Sequence, residues 1–140
     1  MSQTRSQKYS QAVFELVRDL VNAPEKKQLN NQGVRRYKAL CKRSGSMLRT
    51  VGLIQFLIYL KAKAMKNGEE HHRALLEHVQ SALGSLKILE SKDTDVMIDK
   101  IRKHNLPEYM RLTREVLHLL QWHKRISDIL IQGTAAEGDD

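Results

Sequence analysis

The sequence predicts an all-α protein, a compact bundle of five to six helices. Three observations carry this reading. Apolar residues recur at i, i+3, i+4 and i+7 along most of the chain. Only two prolines and seven glycines punctuate its 140 residues. Aromatic residues make up just 5%, whereas sandwiches and barrels need many turns and draw on aromatic and β-branched strands. The 41% hydrophobic and 29% charged fractions suit a globular domain and are too apolar for a disordered chain. A single cysteine excludes an intramolecular disulfide framework and a cysteine-based zinc finger.

The first helix follows from Tyr9, Ala12, Val13, Leu16, Val17, Leu20 and Val21, about four turns stopped near Asn22-Ala23-Pro24. Glu25 to Gln32 reads as a polar connection. A second helix starts near Asn31 or Gly33, with Val34, Tyr37, Leu40 and Cys41 as its apolar stripe, and Ser44-Gly45-Ser46 breaks or kinks it. A third runs from about Ser46 to Lys66 and ends at Asn67-Gly68, a left-handed cap. Its middle, Val51 to Leu60, is apolar almost all round, which places it at the centre of the domain. Gly52 costs about 1 kcal/mol inside a helix, so it is expected to permit a close crossing.

The fourth helix covers about Glu69 to Leu83, with Gly84 after it and a short segment from Leu86 to Leu89. Asp93 or Thr94 caps the fifth, which turns Val96, Met97 and Ile101 inward. Pro107 begins the last helix, which runs to about Gln132 and is ended by Gly133. Residues 1–133 thus form one helical domain, and 134–140 an acidic, disordered tail.

The N-terminus is polar and leads into no apolar segment of the signal-peptide kind. The longest apolar stretch, Val51 to Leu60, falls far short of the roughly 20 residues that span a bilayer. The expectation is a soluble, cytoplasmic protein with no membrane partner.

Charge is distributed unevenly. Met1 to Lys66 holds 14 basic and 3 acidic residues, and Asn67 to Asp140 holds 10 basic and 13 acidic. Between Glu25 and Glu69 stand 11 Lys and Arg and no carboxylate. Helices usually mix signs, because opposite charges at i,i+4 stabilise them and like charges do not. A stretch that accepts self-repulsion points to a polyanionic partner, nucleic acid above all. The bland alternative is a solvated basic face that aids solubility.

The residue patterns offer little chemistry. His71 and His78 share a helix face but stand roughly 10 Å apart along it, no histidine pair has the i,i+4 spacing of a zinc site, and His118 and His123 diverge. The histidines are expected at the surface or its boundary, with no metal and no cofactor. Cys41 lies on an apolar stripe, where a buried, inert thiol is the default. Nucleophile-elbow, Walker and dinucleotide motifs are absent. No catalytic residue is assigned.

The basic residues are better placed. If the second and third helices are nearly continuous, Arg35, Lys38, Lys42 and Arg49 fall within about 60° of one another at 100° per residue. Arg36 and Arg43 form a neighbouring row, and Lys61, Lys63 and Lys66 extend the surface. A linear row of cations suits a phosphate backbone. Base reading needs stacking aromatics or a presented helix. Tyr37, Phe56 and Tyr59 are expected to face the core, so contact with little sequence preference is predicted. On the last helix Trp122 and Arg125 share a face. Either they form a surface cation–π pair over a neighbouring helix, or with Lys124 they belong to a subunit contact.

Two segments resemble a known family. Met47 to Lys63 (Met-Leu-Arg-Thr-Val-Gly-Leu-Ile-Gln-Phe-Leu-Ile-Tyr-Leu-Lys-Ala-Lys) is similar to the Gly-Leu, Gln, apolar-run, Ala-Lys signature of the small α-helical subunit of the type III-B CRISPR effector, the Cmr complex. Tyr37 and Leu40 fit positions that precede it. Thr113-Arg114-Glu115 and Trp122-His123-Lys124-Arg125 resemble that family's second signature, Thr-x-Glu followed by Trp-x-(Lys/Arg)-Arg. The likeness covers about residues 8 to 132. Ser44-Gly45-Ser46 stands where the family often has proline, and His123 where it often has an apolar residue. The resemblance implies a non-catalytic subunit that stacks with copies of itself beside the guide-binding backbone subunits and presents a basic surface to target RNA paired with guide RNA. Base pairing then supplies sequence, and the protein need only read backbone and shape. A helix-turn-helix-like DNA-binding regulator is the rival reading. A structural adaptor with an acidic protein partner is the third.

Overall fold

In a computed structural model that describes residues 3–22 and 31–131, apolar stripes at helical spacing turn toward one another as six helices. They are α1 (Arg5–Asn22), α2 (Asn31–Val51), α3 (Leu53–Ala64), α4 (Glu70–Ser85), α5 (Thr94–Arg102) and α6 (Leu106–Leu130). No strand occurs among the described residues. The expected tail at 134–140 and most of the connection from Glu25 to Gln32 lie outside them. No helix of the described residues is long and apolar enough to cross a membrane.

α6 is the spine. α1 and α2 both pack along it, α4 lies against α1, α2 and α3, and α5 closes the end formed by α3 and α4. The core draws Val13 and Val17 from α1, Leu40 and Leu48 from α2, Phe56 and Leu60 from α3, Leu75 and Val79 from α4, and Val116 and Leu119 from α6. α1 is also held by a polar clamp: the Tyr9 hydroxyl donates to the carboxylate of Glu115, which the Arg5 guanidinium also engages. Glu115 belongs to the Thr-x-Glu motif, and its work here is structural.

Helix ends follow local chemistry. Asp93 accepts the Val96 N–H at 2.8 Å and caps α5. Asn105 and Glu108 form a reciprocal capping box at α6, with Pro107 in the first turn. α4 runs through Gly84, which does not end it. It closes instead at Lys87, whose φ of 57° is left-handed. There Ile88 N–H reaches Leu83 O and Lys87 N–H reaches Gly84 O, the Schellman pattern with lysine in the usual glycine position.

The expected break at Ser44-Gly45-Ser46 does not occur. α2 continues through it: the buried Ser44 hydroxyl is satisfied by Cys41 O one turn back, and Gly45 lets α2 pack beside Leu117 of α6. The break falls at Gly52, which periodicity places inside a helix. Its φ of 87° and ψ of 164° lie in a region essentially reserved for glycine. The chain bends there, and the Tyr109 hydroxyl accepts the Ile54 N–H at 3.0 Å, satisfying an otherwise open donor at the start of α3. α3 is also less central than its composition suggests. Leu53, Phe56, Leu57, Leu60 and Ala64 are buried, while Gln55, Ile58, Ala62 and Met65 face outward.

The histidine expectation needs correction. His71, His72 and His123 are buried in the fold, not at its surface or boundary. A helical wheel places them beside apolar neighbours, but only the packing of α4 and α6 against the other helices covers them. Cys41 is buried as expected, and burial pushes its thiol up to about 12, which keeps it protonated and unreactive.

Candidate nucleic-acid interface

Because α2 is one uninterrupted helix to Val51, the geometric condition for a basic row is met. Arg35, Lys42 and Arg49 stand seven residues apart and drift by only about 20° per step. They occupy one exposed strip roughly 21 Å long at 1.5 Å per residue. The three cations pair with no carboxylate among the described residues. Their own helix supplies none, since no acid occurs between Glu25 and Glu69.

The other predicted members separate into different roles. Lys38 is half-buried and reaches across to α6, donating to Ile131 O at 3.0 Å with Asp128 at 3.7 Å. Arg36 donates to Gly68 O at 3.1 Å and so holds the turn between α3 and α4. Arg43 donates to Ala39 O within its own helix. Lys61 binds the Thr94 hydroxyl and Asp95, each at 3.1 Å, and so ties α3 to the start of α5. Lys63 lies over the Tyr59 ring at 5.9 Å. Lys66 is exposed just beyond α3. The nine predicted residues are therefore four outward cations and five that also stitch the fold. Wheel geometry gave their angles and could not give their partners, which lie up to 93 residues away.

Tyr37 and Phe56 are buried and Tyr59 half-buried, so no aromatic of this region is presented for stacking. The outward stripe of α3 offers Gln55 as its one hydrogen-bonding side chain, which does not make it a recognition helix. The arrangement can bind phosphates and is poorly equipped to read bases.

On α6, Trp122 is half-buried against the core, with the Arg125 guanidinium 5.9 Å from its ring. Both border a cleft of about 200 Å³ shared with Arg5, Tyr9, His118 and Gln121. The cation–π pair is present, while Lys124 and Arg125 remain exposed.

The class is now defined: a small all-α protein with one outward row of cations on a helical scaffold. Residues 5–130 match the sequence model of the family described as CRISPR-associated protein (Cas_Cmr5), so the chain belongs to that family. It is 30% identical over 129 residues to the CRISPR system Cmr subunit Cmr5 of Thermus thermophilus, covering 92% of this chain and 97% of that protein. It is also similar to the crystal structure of a CRISPR-associated Cmr5 family protein from Thermus thermophilus. The TM-score there is 0.71 at 28% identity, with 93% of this chain and 100% of that one covered.

Proposed function

We propose that this chain is the non-catalytic small subunit of a cytoplasmic type III-B CRISPR effector, the Cmr complex. It stacks with copies of itself beside the backbone subunits and contacts the backbone of the target RNA–guide RNA duplex. Family membership supports the complex, and the outward row Arg35, Lys42 and Arg49 carries the RNA contact. Lys66, exposed just beyond α3, adds a further cation past the bend, while Arg36, Lys38, Arg43, Lys61 and Lys63 add charge with their stems and internal bonds fixed. Trp122, Lys124 and Arg125 of α6 supply a subunit contact, where a rigid aromatic and two exposed cations stand together.

The test is a salt titration of RNA binding by the complex carrying Arg35→Ala, Lys42→Ala and Arg49→Ala. Three lost phosphate contacts flatten the slope of log K against log salt by about two units, at roughly 0.7 to 0.9 per contact, equally for unrelated targets. An unchanged slope removes the row from the RNA. In the same preparation, Trp122→Ala with Arg125→Ala yields a chain that melts normally yet fails to join the complex. Assembly that survives a lowered melting temperature overturns the interface assignment.

A further inference from the structure

Three donor atoms converge where the turn after α3 enters α4. Glu69 is the N-cap residue of α4, and His71 and His72 follow in its first turn. Adjacent residues of a helix normally point about 100° apart and do not face each other. Here the two imidazole centroids lie 4.2 Å apart, with the rings tilted by 45°. The Glu69 side chain closes over both. Its Oε2 is 3.7 Å from His71 Nε2 and 2.9 Å from His72 Nδ1. All three donor atoms lie within 4.8 Å of one another.

We propose that Glu69, His71 and His72 form a binding site for a divalent transition-metal ion of the zinc class. A tetrahedral ion with bonds of about 2.0 to 2.2 Å holds its donors roughly 3.3 to 3.5 Å apart. The two measured separations bracket that value, so a small swing of the partly exposed Glu69 carboxylate brings them to it. Two imidazoles and one carboxylate are a donor set that suits zinc and its neighbours better than calcium or magnesium.

The second observation is the hydrogen-bond state of these groups. His72 is fully buried, its Nε2 makes no hydrogen bond, and its Nδ1 meets Glu69 Oε2 at 2.9 Å. Buried polar atoms are ordinarily paired, and a cation between Nδ1 and Oε2 would take the place of that single contact and draw in His71. The far side of the His72 ring packs edge-on against Tyr59, with centroids 5.6 Å apart, which fixes the ring's orientation. The charges of Lys63 and Arg43 act on His72 and oppose a cation, which the Glu69 carboxylate offsets in part. Three protein donors leave a fourth position, on the Glu69 side, for water. An ion here would pin the turn whose Gly68 carbonyl holds Arg36, at the margin of the basic face.

The experiment uses the untagged full chain, stripped with chelator and titrated with Zn²⁺, followed by calorimetry and thermal melting. The site predicts one equivalent bound and a melting temperature raised by about 5 °C or more at saturation. Glu69→Gln weakens binding at least tenfold. This variant preserves the fold, because the Glu69 side chain makes no capping bond to α4. His71→Gln gives the same loss where circular dichroism shows it folded. Absence of stoichiometric binding overturns the proposal. Binding that is undiminished in Glu69→Gln does so as well, since the ion then sits on other histidines.

Discussion

α2 and α3 are neighbours in sequence, separated by one glycine, yet their outward faces are opposites. α2 shows Arg35, Lys42 and Arg49 to solvent, and α3 shows Gln55, Ile58 and Ala62. Both stretches belong to the same acid-free segment. Composition alone therefore does not say where a polyanion would dock; the direction of each helix does. The bend at Gly52 ends the cationic row after Arg49 and turns the following stripe to a different surface. The comparison also holds between the two faces of α2. Outside it is cationic; inside it buries polar groups such as Tyr37, whose hydroxyl is 2.6 Å from His78 Nδ1, with His78 stacked on His123.

The largest expected effect comes from His123 of α6, which stacks on the His78 that meets Tyr37. Burial pushes His123 down to about 4 from 6.5, against a smaller opposing contribution from its bond to Leu119 O. The unfolded chain therefore binds a proton that the folded chain refuses. The stability from this group is complete above about pH 6.5 and is lost as pH falls toward 4, by about 3 kcal/mol at pH 4. His123→Leu removes that loss. Denaturant melts of both proteins from pH 7 to 4 should diverge by that amount, and parallel curves would show His123 charged without penalty in the fold.

The bend comes next. Gly52→Ala forces a side chain onto a backbone conformation reserved for glycine and should cost about 2 kcal/mol. Tyr109→Phe removes the hydroxyl that accepts the Ile54 N–H and should cost about 1 kcal/mol. Because both act on one junction, the double variant should lose less than the sum. Full additivity in urea melts would mean that Tyr109 does not hold the bend.

The smallest effect has the opposite sign. A methyl at Gly45 would stand 3.6 Å from Leu117, an ordinary contact in mid-helix. Gly45→Ala should therefore stabilise the protein by about 0.5 to 1 kcal/mol through backbone entropy and leave the cationic row in place. A loss of stability would show that α2 and α6 cannot accept even that contact.

These positions show where sequence was enough. Helical periodicity located all six helices, and the absence of carboxylates from Glu25 to Glu69 located the basic segment. Both are local properties, set by residues within a turn or two of one another. The choice between the two glycine positions as the bend was not legible, because it depends on partners far along the chain. Leu117 packs beside Gly45, and Tyr109 caps α3 behind Gly52.

The same division runs through the candidate sites. By itself the sequence determined that one side of α2 would be cationic, since 3.6 residues per turn align Arg35, Lys42 and Arg49 whatever surrounds them. Only the tertiary structure decided that Lys38 and Lys61 are tethered to Ile131 and Thr94 while those three face solvent. It also decided that His71 and His72, adjacent residues that a helical wheel drives apart, turn their rings toward each other beneath Glu69. Side-chain torsions and the packing of α4 against α3 can override the 100° step of the backbone, and neither is written in residue spacing.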